Sequence, residues 1–409
     1  MPILLEEDLK YPLPKMHKVR QNFPRPILKN IEGRIKEEFA RPEIAGRIKP
    51  GMRIAVAVGS RGIRNIVRIV RTVVNSIKAL GGDPFILTAM GSHGGGSVDG
   101  QREVLTSYGI TEEAMGVKIV SNVDVERLGR TSGGIDVYFD RVALGADMVV
   151  PVNRVKLHTD FVAPIQSGIC KMLVIGLGNH IGCTAVHEAS PDIFGETLLD
   201  AAQLIMEHAK IGLGVAILEN AYDETAVIEA IPQESIIGRE EELVQIAKGN
   251  MPTLMIPDID VLVMEEIGKD VSGAGYDPNI IGKSSLLHEF VLPVPKIKRM
   301  ALLGVTPASH GNAIGMGIFD VITRNVYDCL DLEPIYANAI AVKAPEDAKI
   351  PIIAADEEEA VRIAVQCARG ADKRHLKIVK IKNTISLETI EVSDALLDYV
   401  KTDTRLKLL

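Results

Sequence analysis

The chain has 409 residues, which is long for a single hydrophobic core and predicts two domains. Its hydrophobic content of 46% and charged content of 24% exclude extended disorder. A formal net charge of -8 argues against binding to nucleic acid or to an anionic membrane, so we expect a small-molecule partner and leave the oligomeric state open.

The cysteines and the apolar runs indicate the compartment. The four cysteines form no CxxC pair and no zinc-binding spacing, so we interpret them as reduced thiols. No segment approaches the roughly 18 apolar residues of a membrane-spanning helix, and the N-terminal residues lack the pattern of a signal peptide. We therefore predict a cytoplasmic protein.

The first half of the chain alternates apolar, β-favouring runs with helical patterns. Strands are predicted over 53–60, 83–90, 145–155 and 209–220, and helices over 64–82 and 195–208. This alternation predicts a mostly parallel sheet that is covered by helices, with ligand-binding loops at the carboxyl ends of the strands.

The residue pattern changes over residues 231–258, where a charged helical stretch is followed by a proline-containing segment, and this change predicts a domain boundary near residue 252. After it, strands are predicted over 259–268, 297–306 and 375–383, and helices over 312–330 and 356–371. We therefore expect an α/β protein with two domains: a cofactor-binding and catalytic domain over 1–252 and a smaller α/β domain over 253–409. The active site is expected in the cleft between them.

Four loops at predicted strand ends contain unusual polar residues: GSRGIRN (59–65), GSHGGGS (91–97), NRVKLHTDF (153–161) and the segment SGICKM through AVH (167–187). Glycine-rich loops after strands expose backbone N–H groups that favour a phosphate or carboxylate ligand. Each polar residue also has an ordinary interpretation. His93 fits a hydrogen-bonded loop residue, Arg61 a helix cap, and Lys171 a lysine that reaches the surface.

Taken together, the order and spacing of five residues resemble the nickel-dependent lactate racemases and the related 2-hydroxyacid racemases and epimerases. Arg61 follows the first strand, and His93 comes on a glycine-rich loop about thirty residues later. His158 then precedes Lys171, and His187 follows the lysine by sixteen residues. The stretches SGICK and NRVKLHTDF are also similar to the family's pattern, which is clearest between residues 50 and 190.

The resemblance implies a nickel-pincer nucleotide, a pyridinium mononucleotide whose two thiocarboxyl arms clamp nickel. It implies that Lys171 is the covalent attachment point, that Ser167 and Gly168 contact the cofactor, and that His187 is the protein ligand to the metal. Sulfur and imidazole ligands both suit Ni(II). The apolar surroundings of these residues would keep water away from a centre that takes up and returns hydride.

The resemblance also implies roles for the remaining residues in racemising a 2-hydroxyacid through a transient 2-oxoacid. His93 and His158 would face opposite sides of the substrate and exchange the hydroxyl proton, since imidazole accepts and donates protons near neutral pH. Arg61 would hold the substrate carboxylate with its planar guanidinium.

Two polar stretches of the second domain, residues 265–279 and 309–317, are predicted to close over the substrate. Substrate or lid contacts are predicted for Lys269, Lys283, Asp277 and Asn279. The alternative is that these stretches are ordinary surface loops.

Two departures from the family's pattern bear on the substrate. Val58 stands where the family has an aspartate, and the chain has no tryptophan, although the lactate enzymes place one near the substrate. We therefore expect a 2-hydroxyacid other than lactate. Two alternatives are another hydride-transfer or lyase reaction on a hydroxyacid and a non-catalytic cofactor-binding protein.

Overall fold

The computed structural model describes Leu4, residues 6–59 and residues 62–409. The chain divides into two compact units. Pro24–Met251 form the N-terminal unit, and Pro252–Leu409 together with the segment up to Phe23 form the C-terminal unit. The domain prediction placed the first 23 residues in the N-terminal domain instead; it missed a strand in this segment that pairs with strands near the other end of the chain.

The sheet of the N-terminal unit is mostly parallel. Its strands follow the order β4-β3-β2-β7-β8-β9, in which only β9 runs antiparallel to its neighbour, and β5 and β6 form a separate antiparallel hairpin. The strands of this unit are β2 (Arg53–Val58), β3 (Asp83–Thr88), β4 (Ile119–Val120), β5 (Val125–Arg130), β6 (Asp136–Asp140), β7 (Met148–Arg154), β8 (Leu213–Glu219) and β9 (Thr225–Pro232).

Helices accompany this sheet. They are α1 (Ile31–Ala40), α2 (Pro42–Ala45), α3 (Ile66–Ala79), α4 (Val98–Ser107), α5 (Glu112–Met115), α6 (Arg141–Leu144), α7 (Ile169–Lys171), α8 (Asn179–Val186), α9 (Pro191–His208) and α10 (Ile236–Asn250). From Ile54 to Val58, strand β2 is buried at every position, as expected for a parallel strand with both faces covered. Helix α3 buries Ile66, Ile69, Val73 and Ile77 at helical spacing.

The C-terminal unit is built on a mixed sheet in the order β13-β12-β11-β10-β14-β15-β1-β16. The strands from β13 to β14 in this order are parallel, and those from β15 to β16 are antiparallel. The strands are β1 (Met16–Gln21), β10 (Asp258–Met264), β11 (Lys296–Leu302), β12 (Val321–Thr323), β13 (Ile352–Ala354), β14 (Ile378–Ile381), β15 (Thr389–Ser393) and β16 (Leu406–Leu408). The helices are α11 (Pro278–Ile281), α12 (Arg324–Asp328), α13 (Leu332–Ala341), α14 (Glu357–Cys367) and α15 (Leu397–Thr402).

The predicted fold class, an α/β protein with mostly parallel sheets flanked by helices, is confirmed. One predicted element is wrong: residues 312–330 do not form a helix. Met316–Ile318 make a 3-10 turn, Val321–Thr323 form strand β12, and a helix begins only at Arg324. The β-branched run at 321–323 pairs on both sides, with β11 and β13, and these long-range backbone bonds override the local helical pattern.

Within the described residues, no single helix is long and apolar enough to cross a membrane. The segments Ile169–Gly176 and Asn179–Val186 would together be long and apolar enough for a span, but they are bent by 109° to each other. Leu173, Val174 and Val186 in this pair are buried in the fold.

Candidate active site

A short backbone bridge at the carboxyl end of β7 begins the candidate site. The Lys156 N–H donates to the Ser167 carbonyl at 2.8 Å, and the Ser167 N–H donates to the Lys156 carbonyl at 3.2 Å. The side-chain amide of Asn153 donates to the Gly168 carbonyl at 2.5 Å. These bonds close the loop 157–166 and hold it against the start of α7.

His158 and Lys171 are hydrogen-bonded to each other in this closed loop. The His158 Nε2 atom lies 2.7 Å from the Lys171 Nζ atom, and the His158 Nδ1 atom accepts the backbone N–H of Asp160 at 3.1 Å. Burial lowers the pKa of Lys171. Burial, and next the charge of Lys171, hold the pKa of His158 well below its ordinary value. The two basic groups therefore lie side by side where charge is disfavoured.

Lys171 and His187 lie at the two ends of a broken helix. Helix α7 continues into a π-helical turn over Met172–Gly176, and α8 leaves that turn at 109°. Asn179 begins α8 with a φ of 52°, a left-handed conformation that strains an L residue. Single π turns of this kind are frequent at functional sites.

A continuous line of ring contacts joins His158 to His187. His158 stacks on Phe161 with centroids 4.4 Å apart, Phe161 contacts Phe194 at 4.8 Å, and Phe194 contacts His187 at 5.2 Å. The structure thus brings His158, Lys171 and His187 into one region.

The His187 ring is oriented by the helix that it ends. Its Nδ1 atom lies 2.6 Å from the Cys183 carbonyl and must donate to it, which leaves a lone pair on Nε2. Metal-binding histidines commonly have one ring nitrogen fixed by a backbone carbonyl in this way, but the bond is not specific to them, since exposed His208 makes the same bond to the Leu204 carbonyl. Burial lowers the pKa of His187, but its contacts with Cys183 raise it by more, so the net direction is upward.

The loop that carries His93 packs along the same helix. The Gly91 N–H donates to the Gly176 carbonyl at 3.1 Å, and the Ser92 hydroxyl lies 3.9 Å from the Cys183 thiol. Gly96 packs against His180, since a Cβ atom at Gly96 would lie 3.2 Å from the Cβ atom of His180. His93 itself is exposed on this loop, near the helix that ends at His187.

Arg61 lies outside the described residues, but the residues after it are firmly held. Arg154 donates to the Gly62 carbonyl at 3.0 Å and pairs with the nearly buried carboxylate of Glu219. Glu219 accepts the Arg64 N–H at 2.7 Å. This tether was not predicted from the sequence, although charged residues at the ends of two buried strands, β7 and β8, were a usable signal.

Glu240, on α10, is a second residue that the sequence analysis missed. Its side chain is 0% exposed and accepts the Cys170 N–H at 3.0 Å, directly before Lys171. Gly168 admits this carboxylate, because a Cβ atom there would lie 2.5 Å from Oε1 of Glu240. Burial raises the pKa of Glu240 to about 7. Nothing in the sequence distinguishes Glu240 from its glutamate neighbours, which together are typical of a solvated helix face.

The bend at Asn179 is anchored to a buried carboxylate. The Asn179 amide donates to Asp140 at 2.9 Å, and Asn122 donates to the same carboxylate oxygen at 2.9 Å. Burial raises the pKa of Asp140, although these hydrogen bonds oppose the shift. The anchor therefore links the hairpin strand β6 to the start of α8.

In the C-terminal unit, three of the predicted substrate contacts have structural partners. Lys269 donates from Nζ to the Gly273 carbonyl at 2.6 Å. Asp277 accepts the Asn279 N–H at 2.9 Å and so caps α11, and the Asn279 side chain is 1% exposed. These are hydrogen bonds within the loop itself, and ordinary surface loops commonly contain such bonds.

Lys283 lies apart from Lys269 in the same unit. It lines a groove of about 800 Å³ with Asp258 and Lys296, the first residues of β10 and β11. Lys269 follows the carboxyl end of β10, so the two lysines lie near opposite ends of this strand.

Within the described residues, no three metal-ligating side chains of His, Cys, Asp or Glu converge on one point.

Comparison with known proteins gives four findings. Residues 16–207 match the family model of the lactate racemase N-terminal domain. No curated protein matches the sequence. The fold is similar to that of the lactate racemase apoprotein from Thermoanaerobacterium thermosaccharolyticum, with a TM-score of 0.56 and 13% identity over 90% of this chain and 94% of that one.

A protein from Thermotoga maritima matches with a TM-score of 0.47 and 12% identity, over 66% of this chain and 70% of that one.

The raised pKa of Glu240 predicts a pH-dependent stability. Between about pH 4.5 and pH 7 the folded chain retains a proton at Glu240 that the unfolded chain has released, so stability falls as pH rises through this window. The loss has a ceiling of about 3 kcal/mol. Glu240→Gln should remove this part of the slope, as measured by urea unfolding at pH 5 and pH 7.5.

The control is Glu241→Gln, which changes an exposed neighbour on the same helix. It should keep the wild-type slope. An unchanged slope in Glu240→Gln would mean that the buried carboxyl does not titrate in this range.

The left-handed backbone at Asn179 predicts which of two substitutions lowers the thermal stability more. Asn179→Gly and Asn179→Ala both lose the bond to Asp140, but only alanine adds a left-handed strain of about 1 kcal/mol. The glycine variant should therefore have the higher midpoint of thermal unfolding. An alanine variant at least as stable as the glycine variant would contradict the proposed strain.

Proposed function

Because residues 16–207 match the family model of the lactate racemase N-terminal domain, we propose that the chain is a racemase or epimerase of a 2-hydroxyacid other than lactate. The observation that carries the proposal is the hydrogen-bonded pair of His158 and Lys171, joined through Phe161 and Phe194 to His187. These three residues are 29 positions apart at most and meet only through the closed loop and the broken helix.

The residues fit a nickel-pincer nucleotide. Lys171 would offer a part-buried amine for covalent attachment, and His187 would offer the lone pair of Nε2 to the metal. A single protein ligand is enough when the cofactor brings sulfur and carbon donors of its own. When bound, the cofactor would accept the hydride that turns the hydroxyacid transiently into a 2-oxoacid and would return it to either face.

The residues of the chain would do the proton chemistry. His93 and His158 would each remove the hydroxyl proton from one enantiomer and return it to the other, for which imidazole is suited near neutral pH. Arg61 would bind the substrate carboxylate, and the Arg154–Glu219 pair would hold the loop that carries it. The aromatic rings around His158 would exclude water from the reacting carbon.

The substrate is inferred from what the site lacks in comparison with the lactate enzymes. The chain has no tryptophan, and Val58 is 1% exposed at the end of β2 where the family has a carboxylate. A 2-hydroxyacid with a larger or more polar side chain than lactate fits these departures.

Covalent loading is the first test. Protein purified from a host that makes the cofactor should carry a mass adduct on Lys171 by peptide mapping, and Lys171→Arg should carry none. His187→Ala should lower the nickel content, because it removes the protein ligand. Lys156→Arg, on the same loop, is the control and should load normally. Equal adduct and nickel in all four proteins would refute the assignment of both residues.

Turnover is the second test. Loaded protein, incubated with single enantiomers of a panel of 2-hydroxyacids, should racemise at least one of them, as followed by chiral chromatography. His93→Ala and His158→Ala should each lower the rate by roughly 10²-fold or more, the usual contribution of a general acid–base group. His208→Ala, on the exposed end of α9, should leave the rate unchanged.

Two outcomes would count against racemisation. Loaded, nickel-containing protein that converts no member of the panel would argue for a cofactor-binding protein without turnover. Net formation of a 2-oxoacid or an alkene would instead identify another hydride-transfer or lyase reaction.

A further inference from the structure

Two hydrogen bonds at His158 fix where its protons lie. The backbone N–H of Asp160 points at Nδ1 from 3.1 Å, so Nδ1 must offer a lone pair. A neutral ring then carries its proton on Nε2. A doubly protonated ring is disfavoured, because it would set an N–H on Nδ1 against the N–H of Asp160.

The proton on Nε2 determines the state of Lys171. The Nε2–H group must donate across the 2.7 Å separation to Nζ, so Nζ must accept. An ammonium group has three donors and no lone pair, whereas a neutral amine can accept. The geometry is therefore consistent only with an uncharged Lys171 amine.

The surroundings favour this neutral pair. Burial lowers the pKa of Lys171 and of His158, and the charges of Lys156 and His187 lower that of His158 further. The opposing group is the Asp160 carboxylate, whose Oδ2 atom lies 3.9 Å from Nδ1 of His158 and whose charge favours a protonated lysine. That carboxylate is 39% exposed, so water weakens its influence.

We infer that, before the cofactor is attached, the hydrogen bond from His158 keeps Lys171 as a neutral, nucleophilic amine. Acylation of Lys171 then breaks this bond and leaves His158 able to contact a substrate. The partner is an activated acyl or thioacyl group. The lone pair of Nζ forms the new C–N bond, the bond from the acyl carbon to its leaving group breaks, and the leaving group departs with the proton that nitrogen gives up.

Acylation ends the hydrogen bond by its own chemistry. The nitrogen of an amide or thioamide has delocalised its lone pair, so it donates and no longer accepts. Its N–H would then oppose the Nε2–H of His158, and the ring must turn away or exchange its proton between nitrogens. The same residue thus prepares the attachment and becomes available to a substrate only after attachment. The availability to substrate rests on the proposed function, whereas the neutral amine does not.

The test of the neutral amine uses unloaded protein and acetic anhydride at a series of pH values, with the modified lysines identified by peptide mapping. The midpoint of the rate against pH reports the pKa of each amine and does not depend on its accessibility. Lys118, whose side chain is 82% exposed, is the internal reference. The Lys171 midpoint should lie below that of Lys118, because burial disfavours the charged amine.

Three variants identify which group lowers the Lys171 midpoint. His158→Ala should move the Lys171 midpoint upward, and His158→Gln, whose amide can still donate, should move it less. Asp160→Asn keeps the backbone N–H and removes only the carboxylate, so it should not move the midpoint upward. A wild-type midpoint equal to that of Lys118, or no change in His158→Ala, would overturn the inference. Circular dichroism confirms that each variant is folded.

The release of His158 has its own measurement. Diethyl pyrocarbonate modifies unprotonated imidazole nitrogens, and His158 should react several times faster after Lys171 has been acetylated, whereas exposed His208 should react equally in both samples. An unchanged His158 rate would overturn the release and leave the neutral amine standing. Neither measurement uses the cofactor or a substrate, so a failure of the proposed racemase activity would be distinguishable from a failure here.

Discussion

The candidate site depends on one contact, the 2.7 Å hydrogen bond between two basic groups, His158 and Lys171. Two cationic side chains at this distance would repel each other strongly in a water-poor environment, so the contact can exist only if both are uncharged. The surrounding structure supplies that environment. The stacked ring of Phe161 and the closed loop between Lys156 and Ser167 keep the pair out of water.

Other buried polar groups of the N-terminal unit hold the backbone around this pair. They are hydrogen-bonded to residues outside the pair. Glu240 meets the backbone just before Lys171, and Asp140 anchors the bend at Asn179 that leads to His187. The Arg154–Glu219 pair holds the backbone of Gly62 and Arg64 in the same manner. Buried carboxylates are costly unless their oxygens find partners, so each of these groups fixes one piece of backbone in a single position.

The sequence predicted those parts of the fold whose signal is local. The apolar runs at 53–60 and 145–155 became β2 and β7, and the periodic pattern at 64–82 became α3. Residues 312–330 were wrongly predicted as one helix, because strand pairing with β11 and β13 is invisible to a local pattern. Lys269 and Lys283 were both predicted to contact the substrate, but Lys269 follows the carboxyl end of β10, whereas Lys283 lies beside the first residues of β10 and β11.

For the site, the sequence by itself determined which residues are available and in what order, since the spacing of His158, Lys171 and His187 is a property of the chain. Only the tertiary structure decided which of their nitrogens hold protons. That depends on hydrogen-bond partners, which are the Asp160 N–H and the Cys183 carbonyl, and on burial of the His158–Lys171 pair. Hydrogen bonding and burial act through space, so they are defined only once the chain has folded.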